Sequence, residues 1–278
     1  MIVGRRHTDR YGCLVGTDSG APFLHAGHAP CVLAIHGFTG TTSELSTLLV
    51  RLAERGYAVH APLLPGHGSS PAELQAATFE RGVAAMRLEL LAARERHRRV
   101  VLCGFSLGSL VALELAAAHP ELVDGLVLLG NAVTLTAPVR AVLGFVDRRG
   151  WALPDWYLLK LWSADVRDPE QRKRIAAYDR DPLRAALEVY RAGRRVEPRL
   201  SLVRAPTLIL HGGKDRVCPA TNARLVAESI GATDVTTKIY PKSAHLIAAD
   251  VDRSAVAEDV ARFVDAIAAR ASTGAASA

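Results

Sequence analysis

The sequence is poor in aromatic residues and has no long apolar run. Phe, Trp and Tyr make up 5% of its 278 residues. No stretch reaches the roughly 18 apolar residues that a membrane-spanning helix needs. The segment from Met1 to Arg10 is polar and is not followed by the apolar core of a signal peptide. These absences predict no integral membrane segment, and we expect a cytoplasmic location.

Cysteine is also scarce. The four cysteines are Cys13, Cys31, Cys103 and Cys218. Their spacing matches neither a CxxC pair nor a metal-binding pattern. No glycine-rich phosphate loop is present either. The sequence therefore indicates neither a disulfide scaffold nor a metal centre, and we expect no metal and no cofactor.

The positive charge is dispersed rather than concentrated. The chain carries 34 Lys and Arg against 28 Asp and Glu, for a net charge of +6. No basic run alternates with aromatic residues, as a nucleic-acid-binding strip would require. We therefore interpret the basic residues as surface charges and expect no nucleic-acid partner.

Short apolar runs alternate with helical stretches, which predicts an α/β fold with a mostly parallel sheet covered by helices on both faces. The predicted strands are Cys31–His36, Tyr57–Ala61, Val100–Phe105, Val123–Leu129, Thr207–His211 and Val235–Tyr240. The predicted helices are Leu45–Arg55, Phe79–His97, Leu107–His119, Thr221–Ile230 and Ser254–Arg270. Ligands in such sheets bind beyond the carboxyl ends of the strands.

The alternation stops between residues 131 and 200, which hold five of the 14 prolines and all three tryptophans. We predict that 131–200 is a helical cap inserted into a core formed by 1–130 and 201–270, with a flexible tail at 271–278. Trp151, Trp156 and Trp162 could line an apolar acyl or alcohol pocket, or dock on a lipid surface. The simpler interpretation, which we favour, is that they form the cap's own core.

The segment Gly104-Phe-Ser-Leu-Gly108 carries the strongest chemical signal. It joins a predicted strand to a predicted helix, which is the context of a nucleophile elbow. A tight turn there projects the hydroxyl of Ser106, and the helix N-terminus places N–H groups beside it. Ser106 is therefore the candidate nucleophile.

A serine hydroxyl needs a base, and the base needs an orienting carboxylate. His245 follows the last predicted strand and is the candidate base. Asp215 follows the strand before it and completes the Ser, Asp, His order of this fold. Asp234 precedes a strand and Asp250 follows the histidine, so both are weaker candidates. His36 and His211 each precede a glycine, and we interpret them as turn residues. His67 lies in a loop that we expect to border the site, and the remaining histidines have no partner signal.

Acyl transfer also needs donors for the developing oxyanion. The N–H of Leu107, directly after the nucleophile, is one candidate. The second is the N–H of Phe38 in the loop His36-Gly-Phe-Thr-Gly40, where glycines let the backbone approach a ligand.

Five motifs together resemble the bacterial carboxylesterase and monoacylglycerol-lipase group of α/β-hydrolases. They are His36-Gly-Phe-Thr-Gly40, Leu64-Pro-Gly-His-Gly68, Gly104-Phe-Ser-Leu-Gly108, His211-Gly-Gly-Lys-Asp215 and Ser243-Ala-His245. The resemblance implies the α/β-hydrolase fold, Ser106, Asp215 and His245 as the triad, and Phe38 and Leu107 as oxyanion donors. Ser109 departs from the Gly-Gly that often ends the elbow in such esterases.

The expected activity is hydrolysis of a small carboxylic ester, with an apolar acyl group, through an acyl-enzyme. A thioesterase, a lactonase or an acyltransferase would use the same residues. A peptidase of this fold usually carries an extra large domain, for which the chain has little room. A non-catalytic receptor on the same scaffold is disfavoured because all three triad residues are present.

Overall fold

The computed structural model describes residues 14–15, 18–149, 156–159 and 165–270. Its strands are β1 (Leu14–Val15), β2 (Phe23–His25), β3 (His28–Ile35), β4 (Tyr57–Ala61), β5 (Val100–Phe105), β6 (Gly125–Leu129), β7 (Tyr157–Leu159), β8 (Ala177–Tyr178), β9 (Arg180–Pro182), β10 (Thr207–Gly212) and β11 (Val235–Tyr240). Its α-helices are α1 (Ser46–Glu54), α2 (Pro71–Gln75), α3 (Phe79–Arg96), α4 (Leu107–Ala118), α5 (Ala137–Arg149), α6 (Pro169–Arg174), α7 (Leu183–Val196), α8 (Thr221–Ser229) and α9 (Arg253–Ala269). Short 3-10 turns lie at Thr42–Leu45, Pro120–Leu122, Glu197–Leu202 and Ile247–Ala249.

Seven strands form the main sheet in the order β11-β10-β6-β5-β3-β4-β2. All neighbouring pairs are parallel except β2 with β4. The inner strands β3, β5, β6 and β10 are buried and apolar along most of their length. Such strands need cover on both faces, and the helices supply it. The predicted α/β-hydrolase architecture is confirmed.

Side chains alternate between two apolar clusters because successive residues of a strand face opposite ways. In β3, Leu33 and Ile35 pack into the cluster that includes residues of α3, α4, α7 and α8. Val32 and Ala34 pack on the other face, with residues of α1 and α9. Burial on both faces therefore fixes the register of the central strands.

The structure closely follows the predicted elements. The bounds of β4, β5 and β11 are those predicted, and the five predicted helices begin and end within one residue of expectation. β3 begins three residues earlier, at His28, because it pairs with β4 from that residue. β6 begins at Gly125, two residues later than predicted.

Between β6 and β10 the described chain forms α5, α6, α7 and the short strands β7, β8 and β9. α7 packs against the body of the protein, since Leu187, Ala192 and Val196 share an apolar cluster with residues of α4. The limits of a separate cap at 131–200 stay a prediction. The tail 271–278 and most of the stretch around Trp151 and Trp162 lie outside the described residues.

The order of the sheet determines where a ligand can approach. From β3 the chain continues to β4 on one side, and then to β5 on the other side of β3. This reversal leaves a crevice beyond the carboxyl ends of β3 and β5, the general ligand position in open α/β sheets. The loop after β3 begins at His36 and Ser106 directly follows β5, so the structure brings both to this crevice.

Candidate active site

Ser106 lies in a strained turn between β5 and α4. Its backbone has φ 51° and ψ −114°, a conformation that a residue with a side chain rarely adopts. Close packing holds the turn: a Cβ at Gly104 would lie 2.3 Å from the carbonyl oxygen of Gly108, and a Cβ at Gly108 would lie 2.1 Å from that of Ile35. Only glycine fits at these two positions. The turn is the predicted elbow, and it presents the hydroxyl beyond the end of the sheet.

Three side chains from distant parts of the chain form one hydrogen-bonded relay. The Oγ of Ser106 lies 2.9 Å from Nε2 of His245, and Nδ1 of His245 lies 2.7 Å from Oδ2 of Asp215. Because a carboxylate only accepts, Nδ1 carries the proton and Nε2 is left to accept from the hydroxyl. Sequence reasoning selected these three residues, and the structure brings them together.

The carboxylate of Asp215 is fixed from several directions. Its Oδ1 accepts the N–H groups of Val217 and Cys218, each at 2.8 Å. Burial alone would raise the pKa of Asp215. The nearby His245 and His211 outweigh that effect and hold the pKa well below its usual range. Asp215 is therefore ionised whenever the protein is folded near neutral pH.

His211 is a second partner of Asp215 that sequence reasoning missed. It lies within β10 rather than in a turn, and its Nε2 is 3.1 Å from Oδ2 of Asp215, with both side chains fully buried. The same nitrogen is 3.2 Å from the carbonyl oxygen of Cys218, whereas Nδ1 has no hydrogen-bond partner among the described residues. The proton is therefore on Nε2. Its position four residues before Asp215 was the available signal.

The loop that carries His245 is held by two further carboxylates. Asp165 accepts the backbone N–H groups of His245 at 3.3 Å and of Arg216 at 3.0 Å. Asp250 is completely buried and accepts the N–H of Ala244 at 2.7 Å. Asp250 thus supports the loop and is not the partner of the imidazole. Asp234, the other weaker candidate, pairs with Arg270 at the opposite edge of the sheet.

Opposing effects act on the pKa of His245. Burial favours the neutral ring and is the largest single effect. The charge and hydrogen bond of Asp215, with smaller contributions from Asp165 and Glu44, outweigh it, so the pKa is raised. The ring thus binds a proton more readily than a free histidine, as a base that must take one from serine requires.

The candidate oxyanion donors lie on two neighbouring loops. Leu107 is the first residue of α4, where N–H groups have no partner within the helix. Phe38 lies in the loop after β3, next to Thr39, whose φ is 59°. Both residues line one pocket, and Leu107 directly follows Ser106 in the chain. The geometry is compatible with the predicted donors, whose role stays a prediction.

Two buried side chains hold the loop that carries Phe38 by hydrogen bonds. Glu44 is 5% exposed, and its Oε2 accepts the N–H of Gly37 at 2.9 Å. His36 accepts the N–H of Leu64 at Nε2, at 3.0 Å, and donates from Nδ1 to the carbonyl of Gly37, at 2.9 Å. Burial, together with the nearby His67, lowers the pKa of His36 to about 3. His36 therefore stays neutral and joins two loops; Glu44 was not anticipated from the sequence.

The pocket beside Phe38 and Leu107 is narrow and mostly apolar, with a volume of about 30 Å³. Its other walls are Leu64, Pro65, His67, Leu74, Ala77, Thr78, Phe79, Gly82, Val111, Ala185, Glu188 and Val189. Trp156 is not among them; it directly precedes β7 and is 54% exposed. Trp151 and Trp162 lie outside the described residues, so substrate contact by the three tryptophans stays a prediction.

Cys218 is the one thiol near the relay among the described residues. Its sulfur lies within 4.8 Å of ligand atoms of Asp215 and His245. Burial, with added repulsion from Asp215 and Asp165, raises the pKa of this thiol far above its ordinary value. A protonated thiol is a poor metal ligand, so we interpret Cys218 as packing. Cys31 and Cys103 are also buried and unpaired.

Comparison with known proteins is consistent with this site. The chain is 28% identical to a thermostable monoacylglycerol lipase of Bacillus sp. (strain H-257) over 246 residues, which cover 88% of this chain and 94% of the lipase. It is 27% identical to a carboxylesterase of Bacillus subtilis, covering 88% and 96% of the two chains.

A solved structure from work on two metagenome-derived lipolytic enzymes, LipS and LipT, superposes with a TM-score of 0.81 at 27% identity, covering 90% of this chain and 99% of that one. The family described as "Serine aminopeptidase, S33" matches residues 27–252. The chain therefore belongs to the serine aminopeptidase S33 family of α/β-hydrolases.

Proposed function

We propose that the chain is a serine hydrolase that cleaves carboxylic esters, with Ser106 as nucleophile, His245 as general base and Asp215 as its orienting acid. The observation that carries this proposal is the relay from Ser106 Oγ to His245 Nε2, 2.9 Å, and from Nδ1 to Asp215 Oδ2, 2.7 Å. The relay lies at the crevice where such sheets bind ligands.

The arrangement supports an acyl-enzyme mechanism. As Ser106 Oγ attacks the carbonyl carbon, its proton moves to Nε2 of His245, and the N–H groups of Phe38 and Leu107 stabilise the oxyanion. The imidazolium, stabilised by Asp215, then protonates the departing alkoxide. Water attacks the acyl-serine with His245 again as base, which releases the acid and restores the hydroxyl. No step requires a metal or a cofactor.

The substrate is a small ester whose acyl group enters the narrow pocket beside the oxyanion donors. Val111, Leu74 and Val189 give that pocket apolar walls. Glu188 also lines it, and its carboxylate accepts the N–H of Phe79 at 3.2 Å. The pocket's volume of about 30 Å³ leaves room for few atoms, which disfavours a long hydrocarbon chain. Short acyl groups are therefore the better substrates.

Peptide hydrolysis is the second candidate, because the family's description refers to an aminopeptidase. The relatives named above are a lipase and a carboxylesterase, and they align over more than nine tenths of their own length. This favours an ester over an amide. Thioester, lactone and acyl-transfer chemistry would use the same residues, and none of the observations favours them.

Three buried unpaired cysteines support the expected reducing, cytoplasmic location.

The test compares wild-type protein with Ser106→Ala on p-nitrophenyl acetate, butyrate and octanoate, and on an aminoacyl p-nitroanilide. Wild-type protein should hydrolyse the esters, shorter chains faster, and the anilide far more slowly. Ser106→Ala should lose about 10⁵-fold or more in kcat. Ser254→Ala, which changes an exposed serine in α9, is the matched control. Ester turnover that survives Ser106→Ala would refute the proposed nucleophile, and faster anilide cleavage would favour the peptidase.

A further inference from the structure

A second cleft, of about 260 Å³, borders the loops that carry Asp215 and His245. It shares no residue with the apolar pocket. Lys214 and Arg216, the two chain neighbours of Asp215, line it, and so does Ala244, the residue before His245. The proposed mechanism uses none of these side chains, so the cleft calls for a separate explanation.

The cleft is strongly cationic. Among the described residues, Arg167, Arg172, Lys214 and Arg216 line it, with Asp165 as the one acid, so these five residues carry a net charge of +3. The Oδ2 of Asp165 already accepts the backbone N–H groups of Arg216 and His245. The acid therefore holds the loop as well as offsetting one of the four positive charges.

Two of these cations have no carboxylate partner in the part of the chain that the structure describes. Neither Arg167 nor Lys214 forms an ion pair with a described residue, and the guanidinium of Arg172 donates to the carbonyl of Val166. Elsewhere in the described chain arginines are commonly paired, as Arg253 is with Asp168 at 2.8 Å. Four positive charges in one cleft repel one another in the absence of an anion, so the cleft is suited to receive one.

The walls of the cleft are held by buried hydrogen bonds. Asp250, completely buried, accepts the N–H groups of Arg167 at 2.9 Å and of Asp168 at 3.0 Å. The N–H of Lys214 donates to the carbonyl of Ser243 at 2.9 Å. The backbones that present Arg167 and Lys214 are thus fixed before any ligand arrives, which lowers the entropic cost of binding.

We propose that this cleft is a binding site for a phosphoryl group, carried by a small phosphorylated molecule or by a phospholipid headgroup. Guanidinium groups match phosphate oxygens in pairs, and a lysine adds a point charge. A net charge of +3 suits a doubly or triply charged anion better than a single carboxylate. Asp165 lines the cleft and accepts the backbone N–H of His245. A bound anion would therefore also affect the loop that carries His245.

The test measures binding of pyrophosphate and of inorganic phosphate to the intact protein by calorimetry at constant ionic strength. The variant Arg167→Gln/Lys214→Gln removes two cleft charges. The matched control, Arg96→Gln/Arg98→Gln, removes two exposed charges, one from the last residue of α3 and one from the turn before β5, at the opposite edge of the sheet. We expect wild-type protein to bind, the cleft variant to bind at least about tenfold more weakly, and the control to stay within about twofold.

A second arm uses vesicles of phosphatidylglycerol, with phosphatidylcholine vesicles for comparison. Vesicle binding that depends on Arg167 and Lys214, without binding of the free anions, assigns the phosphoryl group to a lipid; the reverse assigns it to a small molecule. Thermal unfolding checks each variant, and the single variants Arg167→Gln and Lys214→Gln replace the double variant if that one fails to fold. Lack of binding by wild-type protein in both arms, or equal weakening in both double variants, overturns the proposal.

Discussion

The two sides of the proposed catalytic relay, formed by Ser106, His245 and Asp215, are positioned in different ways. On the side of Ser106, the proposed nucleophile, the backbone does the positioning. Ser106 has a positive φ, and a Cβ at Gly108 would lie too close to the carbonyl oxygen of Ile35 in β3. On the acid side side chains do the positioning: Asp215 receives the imidazole of His245, that of His211 and two backbone N–H groups. The first side thus depends on shape and the second on charge.

This difference predicts how substitutions on each side should impair the protein. A change of size on the nucleophile side should damage the fold, whereas a change of charge on the acid side should alter the rate and its pH dependence while the fold survives. His245 belongs to both, since one ring nitrogen faces each side. The following substitutions test the distinction in order of expected effect.

Asp215→Asn should have the largest effect on rate. The amide no longer stabilises the imidazolium and favours the wrong tautomer, so kcat should fall by about 10⁴-fold. It also removes the main cause of the raised pKa of His245. The residual activity should therefore reach its plateau at lower pH than in the wild type. A pH profile of p-nitrophenyl butyrate hydrolysis measures both effects, and unchanged kcat would show that Asp215 is not the acid.

Gly108→Ala should damage the fold rather than the chemistry. Its Cβ would lie 2.1 Å from the carbonyl oxygen of Ile35, so β3 and the elbow would have to separate. We expect a loss of about 3 kcal/mol or more in the free energy of unfolding, measured by urea denaturation. Gly82→Ala in α3 is the control, since its Cβ would meet only Leu64 at 3.7 Å. Equal stability of the two variants would contradict the shape argument.

His211→Phe should have a moderate effect that depends on pH. Without the Nε2 donor, Oδ2 of Asp215 interacts more strongly with His245 and raises its pKa further. Because only the neutral ring acts as base, the acid limb of kcat/KM should move to higher pH, with a loss of about fivefold near neutrality. His211→Gln retains an N–H donor and should restore the wild-type profile. If both variants lose activity without a shift of the limb, His211 has only a packing role.

Glu44→Gln should have the smallest effect on the rate. It should shift the pH profile in the direction opposite to that of His211→Phe. The amide oxygen can still accept the N–H of Gly37, but the negative charge that helps to raise the pKa of His245 is gone. The acid limb of the kcat/KM profile should move to lower pH, while activity at neutral pH changes by no more than about twofold. A shift toward higher pH would show that the charge of Glu44 does not act on the imidazole.

The sequence predicted those parts of the molecule that depend on local pattern. The apolar run Val100–Phe105 between polar turns has the bounds of β5, and Gly104-Phe-Ser-Leu-Gly108 identified the elbow because strand, turn and helix are adjacent in the chain. His245 and Asp215 were found because each follows a predicted strand, and the carboxyl ends of parallel strands meet at one edge.

The residues that were missed act through tertiary contacts that leave no local pattern. Glu44 lies at the start of a helical segment and has no distinctive sequence context. Its role comes from the hydrogen bond that it accepts from the N–H of Gly37. Asp165 lies 80 positions before His245 and inside the predicted cap, so its contact with that backbone could not be anticipated. His211 was interpreted as a turn residue from the glycine after it, although β10 extends through that glycine.

The most direct test of the account is mass spectrometry of the intact protein after brief reaction with p-nitrophenyl butyrate and acid quench. We predict a mass increase of one butyryl group on wild-type protein, located by peptide mapping at Ser106, and none on Ser106→Ala. Asp215→Asn should accumulate the same adduct far more slowly. An adduct on another residue, or ester turnover at full rate by Ser106→Ala, would contradict the central claim that this hydroxyl, activated by His245, attacks the ester.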